Sequence, residues 1–506
     1  MKVVLSGYNV DKEVIDDLKR HSPPRDDVTP ETLSASYARI SRDPRPADEL
    51  RAVARREVER ARRSNRTIIF KMGHHSVAEH AVFNFDIIGI SRLALEEIEK
   101  FRLCSYTEKS QRYIMLGDDF LVPEEVRKGR LERIFLKTIR TQNALYHRLL
   151  AKLKPHLFIK YKDLARNPQN HPVLEGWAKE DARYVVSLAT EGQVGLTINA
   201  RNLELLIRRF AAKKLAELRE LNRRIYELAK EVAPSIVLFT EATDFDARTY
   251  GELEEAARTL LERTEKRAGK KPPAGRTGEE SVFLADLTPD GDDRILAALL
   301  HTSSSASYDR CLRKVRWMTP AEKKGLIKTA FRRQEFYDFP LREFEYADLT
   351  FSLVISASGF AQLKRHRMAT LTCQRYDPAH GVTVPPTVEE VGAGHEFRQM
   401  VDQTEETYAV LQKKIGPEAA AYVLTNAHRR RVLLKVNVRE LYHISRLRED
   451  PTAQWDIRQA VGRMSALARK EMPLSCLFLG GKDQYPSIYR KIFGADPKLS
   501  PLKLLK

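Results

Sequence analysis

The sequence predicts an α+β fold built from two fused copies of one domain, each an antiparallel sheet packed with helices. Three observations lead there: short strings recur in the same order in both halves, strand-like alternation sits beside them, and the composition breaks between the halves. S-A-S-Y-x-R occurs at Ser34 to Arg39 and again at Ser305 to Arg310. Q-R-Y occurs at Gln111 to Tyr113 and at Gln374 to Tyr376, and N-x-R at Asn199 to Arg201 and at Asn437 to Arg439. Three strings in one order argue for a duplicated unit.

The local patterns around the strings match as well. Phe83, Phe85 and Ile87 alternate with Asn84 and Asp86; Leu349, Phe351, Leu353 and Ile355 alternate with Thr350, Ser352 and Val354. Period two predicts strands with one buried face. A helix is expected after each, over Arg92 to Arg102 and over Phe360 to Arg367. Further strands are expected at Val194 to Ile198 and Val432 to Val436, each followed by a helix. The order is not the βαβ alternation of a parallel sheet, and no glycine-rich dinucleotide fingerprint is present.

The third observation is the stretch Glu265 to Glu280, EKRAGKKPPAGRTGEE, in which Gly, Pro and charge dominate. It reads as a linker. The expected units are 1–250 and 284–506, joined by a linker over 251–283, with an extra helical segment in the first unit near 123–180. The 506 residues suit two such units. The formal net charge of +18 predicts attraction for anions such as nucleotides or polyphosphate cofactors. The basic residues are spread along helices rather than set in a block, which argues against a nucleic-acid stripe. Cys104, Cys311, Cys373 and Cys476 are far apart and suggest neither a zinc site nor a disulfide framework. No run of about 18 apolar residues and no signal peptide is read, so a cytoplasmic, non-membrane protein is expected.

Two regions carry chemistry. In the second copy, Gln362 leads into Arg365-His366-Arg367 and, after a short stretch, Gln374-Arg375-Tyr376. In the first, Glu97 leads into Lys100-Phe101-Arg102, then Glu108, Ser110, Gln111, Arg112 and Tyr113. Together with Gly73-His74-His75-Ser76-Val-Ala-Glu79-His80, and with Asn437-Val-Arg439 through His443 and Arg448 to Ala453-Gln454-Trp455, these resemble the flavin-dependent thymidylate synthase family. That family's hallmark is R-H-R followed by a serine-rich loop ending in R-Y. The resemblance covers most of both copies. A direct reading of the residues agrees: guanidinium groups bind phosphate bidentately and stack on flat rings, and a loop offering hydroxyl, backbone N–H and guanidinium is a monophosphate cradle.

The two copies have diverged in opposite senses. Copy one has lost R-H-R but keeps Glu108, Ser110, Gln111, Arg112 and, further on, Arg183. Copy two keeps Gln362, Arg365, His366, Arg367 and Arg448, but its loop is shortened, Cys373 stands where a serine is expected, and Ala421 and Phe210 mark the positions of the lost arginines, one in each copy. In the family the pockets lie between subunits. The resemblance therefore implies a pseudo-dimer with one composite pocket per chain, flavin held by the second half and nucleotide phosphate by the first.

What the resemblance implies chemically is reductive methylation of dUMP to dTMP with FAD, methylenetetrahydrofolate and NADPH. Arg448 would be catalytic, acting on the uracil ring. Gln362, Arg365, Glu108, Ser110, Gln111, Arg112 and Arg183 would bind substrate. Arg365, His366, Arg367, Asn437, Arg439, His443, Ser76 and Glu108 would bind flavin, with Ser76 supplied by another chain in a homodimer that restores a four-domain assembly. No metal is expected at His74, His75 and His80, and no protein nucleophile at Cys104 or Cys373. Two alternatives stand beside this reading: a related flavin enzyme methylating or hydroxymethylating another pyrimidine nucleotide, and a non-catalytic nucleotide-binding protein.

Overall fold

The alternating segments form the expected strands. In the computed structural model, which describes residues 1–20, 28–40, 43–268 and 281–500, β1 (Lys2–Tyr8), β2 (Val82–Ser91), β3 (Cys104–Glu108) and β4 (Glu191–Asn199) make an antiparallel sheet in the order β1-β2-β4-β3. β5 (Val282–Leu287), β6 (Asp348–Ser356), β7 (Thr370–Cys373) and β8 (Arg429–Asn437) repeat it as β5-β6-β8-β7. Phe83, Phe85 and Ile87 point into the first core, and Leu349, Phe351, Leu353 and Ile355 into the second, as period two requires. This is a tandem duplicated α+β fold.

The halves join through their own backbones. Segment 184–189 runs against segment 422–427: Leu188 N–H donates to Leu424 C=O at 2.7 Å and Ala189 N–H to Tyr422 C=O at 3.0 Å. In return, Asn426 N–H donates to Val186 C=O at 3.0 Å and Ala427 N–H to Tyr184 C=O at 2.9 Å. Equivalent stretches thus face each other across a pseudo-two-fold, with Ser187 opposite Thr425. Apolar packing crosses this join twice: Tyr376, Leu411 and Tyr422 pack into the first-half core, and in a separate cluster Val388, Phe397 and Met400 pack with Leu149, Leu153 and Val185.

Several expectations need correction. The helices expected over 92–102 and 360–367 are shorter, Arg92–Ile98 and Ala357–Leu363, because β3 and β7 start soon after and the chain must turn. Residues 100–102 and Arg365-His366-Arg367 are therefore in the turns that follow. The extra helical segment of the first unit is also smaller than 123–180. The long helix Glu132–Lys160 has a counterpart in Gly394–Ala420, broken at Gly416 (φ 80°), so the surplus is the stretch holding Lys162–Ala165 and His171–Ala182. The two S-A-S-Y-x-R strings fall at the second helix of their halves but at different points along it. The first lies inside the helix Glu31–Ile40; in the second, Ser307 caps the helix Tyr308–Trp317 by accepting Arg310 N–H at 3.4 Å.

The boundary expected at 250 falls inside an exposed helix, Asp244–Ala268, tied back by Arg208 and Arg209 to Asp246 at 3.1 Å each. Residues 269–280 of the expected linker lie outside the described residues. β5 begins two residues ahead of 284. We retain the division into 1–250 and 284–506 as a proposal.

Candidate functional site

Side-chain caps fix the launch points of the site. Ser356 Oγ accepts Gly359 N–H at 2.9 Å and Asn437 Oδ1 accepts Glu440 N–H at 2.8 Å, starting the helices Ala357–Leu363 and Val438–Arg448 where β6 and β8 end. The first helix ends just before Arg365-His366-Arg367; the second ends on Arg448. On the first half, β3 ends at Glu108, and Ser110 Oγ accepts Arg112 N–H at 3.1 Å in the turn that follows.

These two ends meet. Arg112 donates to Thr452 C=O at 2.8 Å, reaches Gln362 Oε1 at 3.5 Å and is ion-paired with Glu180. Arg365 pairs with Glu108 at 3.1 Å. Arg183, buried, donates to Gln454 Oε1 at 2.7 Å; the same oxygen accepts from Gln362 at 2.9 Å, while Gln454 donates to Tyr184 Oη at 2.9 Å. Gln111 accepts from Asn426 at 3.0 Å. Residues assigned to the substrate by resemblance, drawn from both halves, are thus in one place. Glu180, Thr452 and Tyr184 belong there too and were not singled out from the sequence; Gln454, quoted within Ala453-Gln454-Trp455, was given no role there.

Electrostatically, the acids there do not offset the burial of Arg448 and Arg183. Burial, with Arg365 and Arg112 nearby, lowers Arg448 to about 10, and burial does the same to Arg183. The Arg183 Nε is buried without a hydrogen-bond partner. Such cations favour a phosphate or a developing negative charge. Glu108 is already committed: burial works against its charge, yet Arg92, Lys364 and Arg365 hold it below the usual carboxylate range.

The flavin-assigned residues of the second half lie on the adjoining side. Arg448 Nε–H donates to His366 Nε2 at 3.0 Å, and the His366 and His443 rings are 5.5 Å apart. Phe339, 58% exposed, packs on His443, with the Arg439 guanidinium 5.7 Å from its centroid. Arg439 also bonds Pro340 C=O at 2.8 Å and Glu345 at 3.0 Å, and Arg367 donates to Arg102 C=O at 3.3 Å. Asn437 acts as a helix cap. Ser76 is exposed on the turn His75–His80, against the first half's own helices, and is not gathered with the others within the chain.

His366, Glu440 and His443 also bring one donor atom each within 4.8 Å of one another, a donor set suited to a divalent metal. The Arg448 guanidinium already occupies His366 Nε2, and its fixed charge opposes a dication. Burial pushes the Cys104 and Cys373 thiols up, the reverse of an activated nucleophile.

At the pseudo-equivalent place the first half has an aromatic contact in place of the imidazole and guanidinium. Phe101 and Phe210, standing where the second half has His366 and Arg448, meet ring to ring at 5.9 Å. Lys100 and Lys213 both pair with Glu97. Behind them Glu96 accepts from Tyr376 at 2.8 Å and Arg430 at 2.9 Å, with Arg92 at 3.2 Å.

Asp181, beside the join, accepts Trp455 Nε1–H at 2.8 Å and the Thr387 hydroxyl at 2.6 Å, and burial raises it to about 6. A carboxyl raised on folding stabilises fully below its unfolded value and loses that contribution as pH rises through its folded value. Stability is therefore expected to fall between about pH 4 and pH 6. Asp181→Asn should flatten that slope in urea melts run across the window.

Fold and residue placement together define a tandem protein in which arginines from both halves gather at the junction of its units. The profile described as thymidylate synthase complementing protein matches it twice, over residues 26–235 and 283–474. A UPF0159 protein of Thermoplasma acidophilum is 22% identical over 470 residues, covering 85% of this chain and 91% of the relative. Flavin-dependent thymidylate synthases of Clostridium tetani (28% over 214 residues, 42% of this chain and 82% of the relative) and Geobacter sulfurreducens (33% over 172, 33% and 65%) align with part of it. The chain belongs to the thymidylate synthase complementing protein family. Among the described residues no helix is long and apolar enough to cross a membrane.

Proposed function

We propose that the chain is a flavin-dependent thymidylate synthase that converts dUMP to dTMP in one composite site between its halves, with FAD as cofactor and methylenetetrahydrofolate and NADPH as co-substrates. The observation that carries this reading is the meeting of Arg112 and Arg183 from the first half with Gln362, Arg365 and Arg448 from the second.

In this reading Arg183, with its orphaned Nε, and Arg112 hold the nucleotide phosphate, Ser110 and Gln111 shape the loop around it, and Gln362 and Arg365 hold it from the opposite side. Arg448 faces the pyrimidine ring and stabilises negative charge as C5 becomes nucleophilic; a desolvated guanidinium does this more strongly than a hydrated one. The exposed faces of Phe339, Arg365 and Arg367, beside His366, Asn437, Arg439 and His443, suit a flat ring and a pyrophosphate. When bound there, the flavin supplies the hydride. Glu108 orients Arg365, and Ser76 of a second chain completes the flavin contacts in a homodimer.

The test is whether the purified protein carries flavin absorbance and forms dTMP from dUMP, methylenetetrahydrofolate and NADPH. UMP and dCMP serve as competing substrates. Arg112→Ala and Arg365→Ala are each expected to weaken dUMP binding at least about 10-fold, since charge-assisted bonds are lost. Colourless protein without dTMP formation would sink the reading, and full affinity in either variant would sink the composite site.

A further inference from the structure

Glu440 has no role in the scheme above, yet it is nearly buried at the arginine-rich end of the second half. It sits on the helix Val438–Arg448, one turn before His443. Its Oε1 is 3.7 Å from His366 Nδ1. On the far side of that ring, Nε2 accepts the Arg448 Nε–H at 3.0 Å. A nitrogen that accepts carries no proton. Burial, reinforced by Arg448, lowers His366 to about 3, so the ring is neutral at pH 7. Its single proton is then on Nδ1, where it is buried and meets no hydrogen-bond partner. Glu440 is the carboxyl facing it; His443 and Arg439 are the other charged or titratable groups acting on Glu440.

A second observation comes from the duplication. At the matching positions of the first half, Phe101 stands for His366, Phe210 for Arg448 and Asn202 for Glu440. The aromatic pair has kept the contact, now ring to ring, and Asn202 has turned back to donate to Asn199 Oδ1 at 2.8 Å. Imidazole, guanidinium and acid are present together in the second half and replaced together in the first.

We propose that Glu440 is a positioning residue: it holds the His366 proton on Nδ1, leaves Nε2 free to accept from Arg448, and so fixes where that guanidinium points. The inference rests on the reading of Arg448 as the group that meets the pyrimidine ring. A closure of about 1 Å would turn the Glu440–His366 approach into a full hydrogen bond, the kind of tightening that substrate binding brings to such contacts.

Two measurements test it, only one of which needs turnover. In protein labelled with 15N-histidine, with His366 assigned by the signals missing from His366→Asn, Nδ1 should be protonated and Nε2 bare. Glu440→Ala should move the proton population toward Nε2, and Glu440→Gln, whose amide oxygen still accepts, should restore the original pattern. In the dTMP assay Glu440→Ala should lower kcat on the order of 10- to 100-fold, with KM for dUMP near the parent value and kcat recovered in Glu440→Gln. An Nε2-protonated His366 in the parent protein, or a Glu440→Ala variant with unchanged tautomer and kcat, overturns the proposal. Absence of turnover in the parent would refute the function proposed above while the NMR arm still decides this one.

Discussion

Replacing Arg92 with alanine is expected to lower folding stability by about 3–5 kcal/mol, the range seen when one member of a buried ionic group is removed. Arg92 is 2% exposed and lies between Glu96 at 3.2 Å and Glu108 at 3.6 Å. Burial works against its charge, yet Glu108 and Glu96 hold it above the ordinary arginine value. Without it both carboxylates lose a partner in a place water does not reach; Arg430 and Arg365 remain, which sets the expectation toward the lower end. Calorimetry and urea unfolding measure this. The control is Arg248→Ala, which removes an exposed pair with Glu252 and should have no measurable effect. Equal losses in the two variants would mean that the ionic layer at the join is incidental.

The second large effect is expected at Arg448. On the proposed reading, Arg448→Ala should reduce kcat on the order of 10²- to 10³-fold, as removal of one preorganised charge donor does in other enzymes. Flavin absorbance and dUMP affinity should stay near the parent values, since Arg112 and Arg183 lie on the other half. Lysine should rescue poorly, because an ammonium cannot donate to His366 and still present a planar face. A variant that retains turnover would assign the ring-directed charge to another group, Arg365 being the nearest candidate.

How far the sequence alone reached can be traced residue by residue. Alternation at Phe83–Ile87 and Leu349–Ile355 was enough to place the central strands, because a half-buried sheet imposes period two directly. The separation of retained residues between the halves, with Arg112 in one and Arg448 in the other, pointed to the junction where the structure gathers them. Gln454, Glu180 and Glu440 were not legible in the same way. Their partners, Arg183, Arg112 and His366, are from 68 to 271 positions away, and no local pattern encodes a contact made across a fold. The long helix Gly394–Ala420 was missed as the counterpart of Glu132–Lys160 because the two share a place and a length but few residues, and because Gly416 breaks one of them. S-A-S-Y-x-R marked the matching helix but not the matching point along it: letters recurred while the helical turn they occupy did not.

The mutual backbone hydrogen bonds between 184–189 and 422–427 carry a genetic consequence. In an assembly of identical subunits every substitution at the axis is written twice, and its cost is counted twice. Here a change at Tyr422 leaves Tyr184 as it was, so each side of the seam drifts against a fixed counterpart and one codon carries one effect. That freedom is what permits Asn426 to reach across to Gln111 and the Arg183 carbonyl, at 3.0 Å each, while Leu188, at the matching place, contributes only bulk.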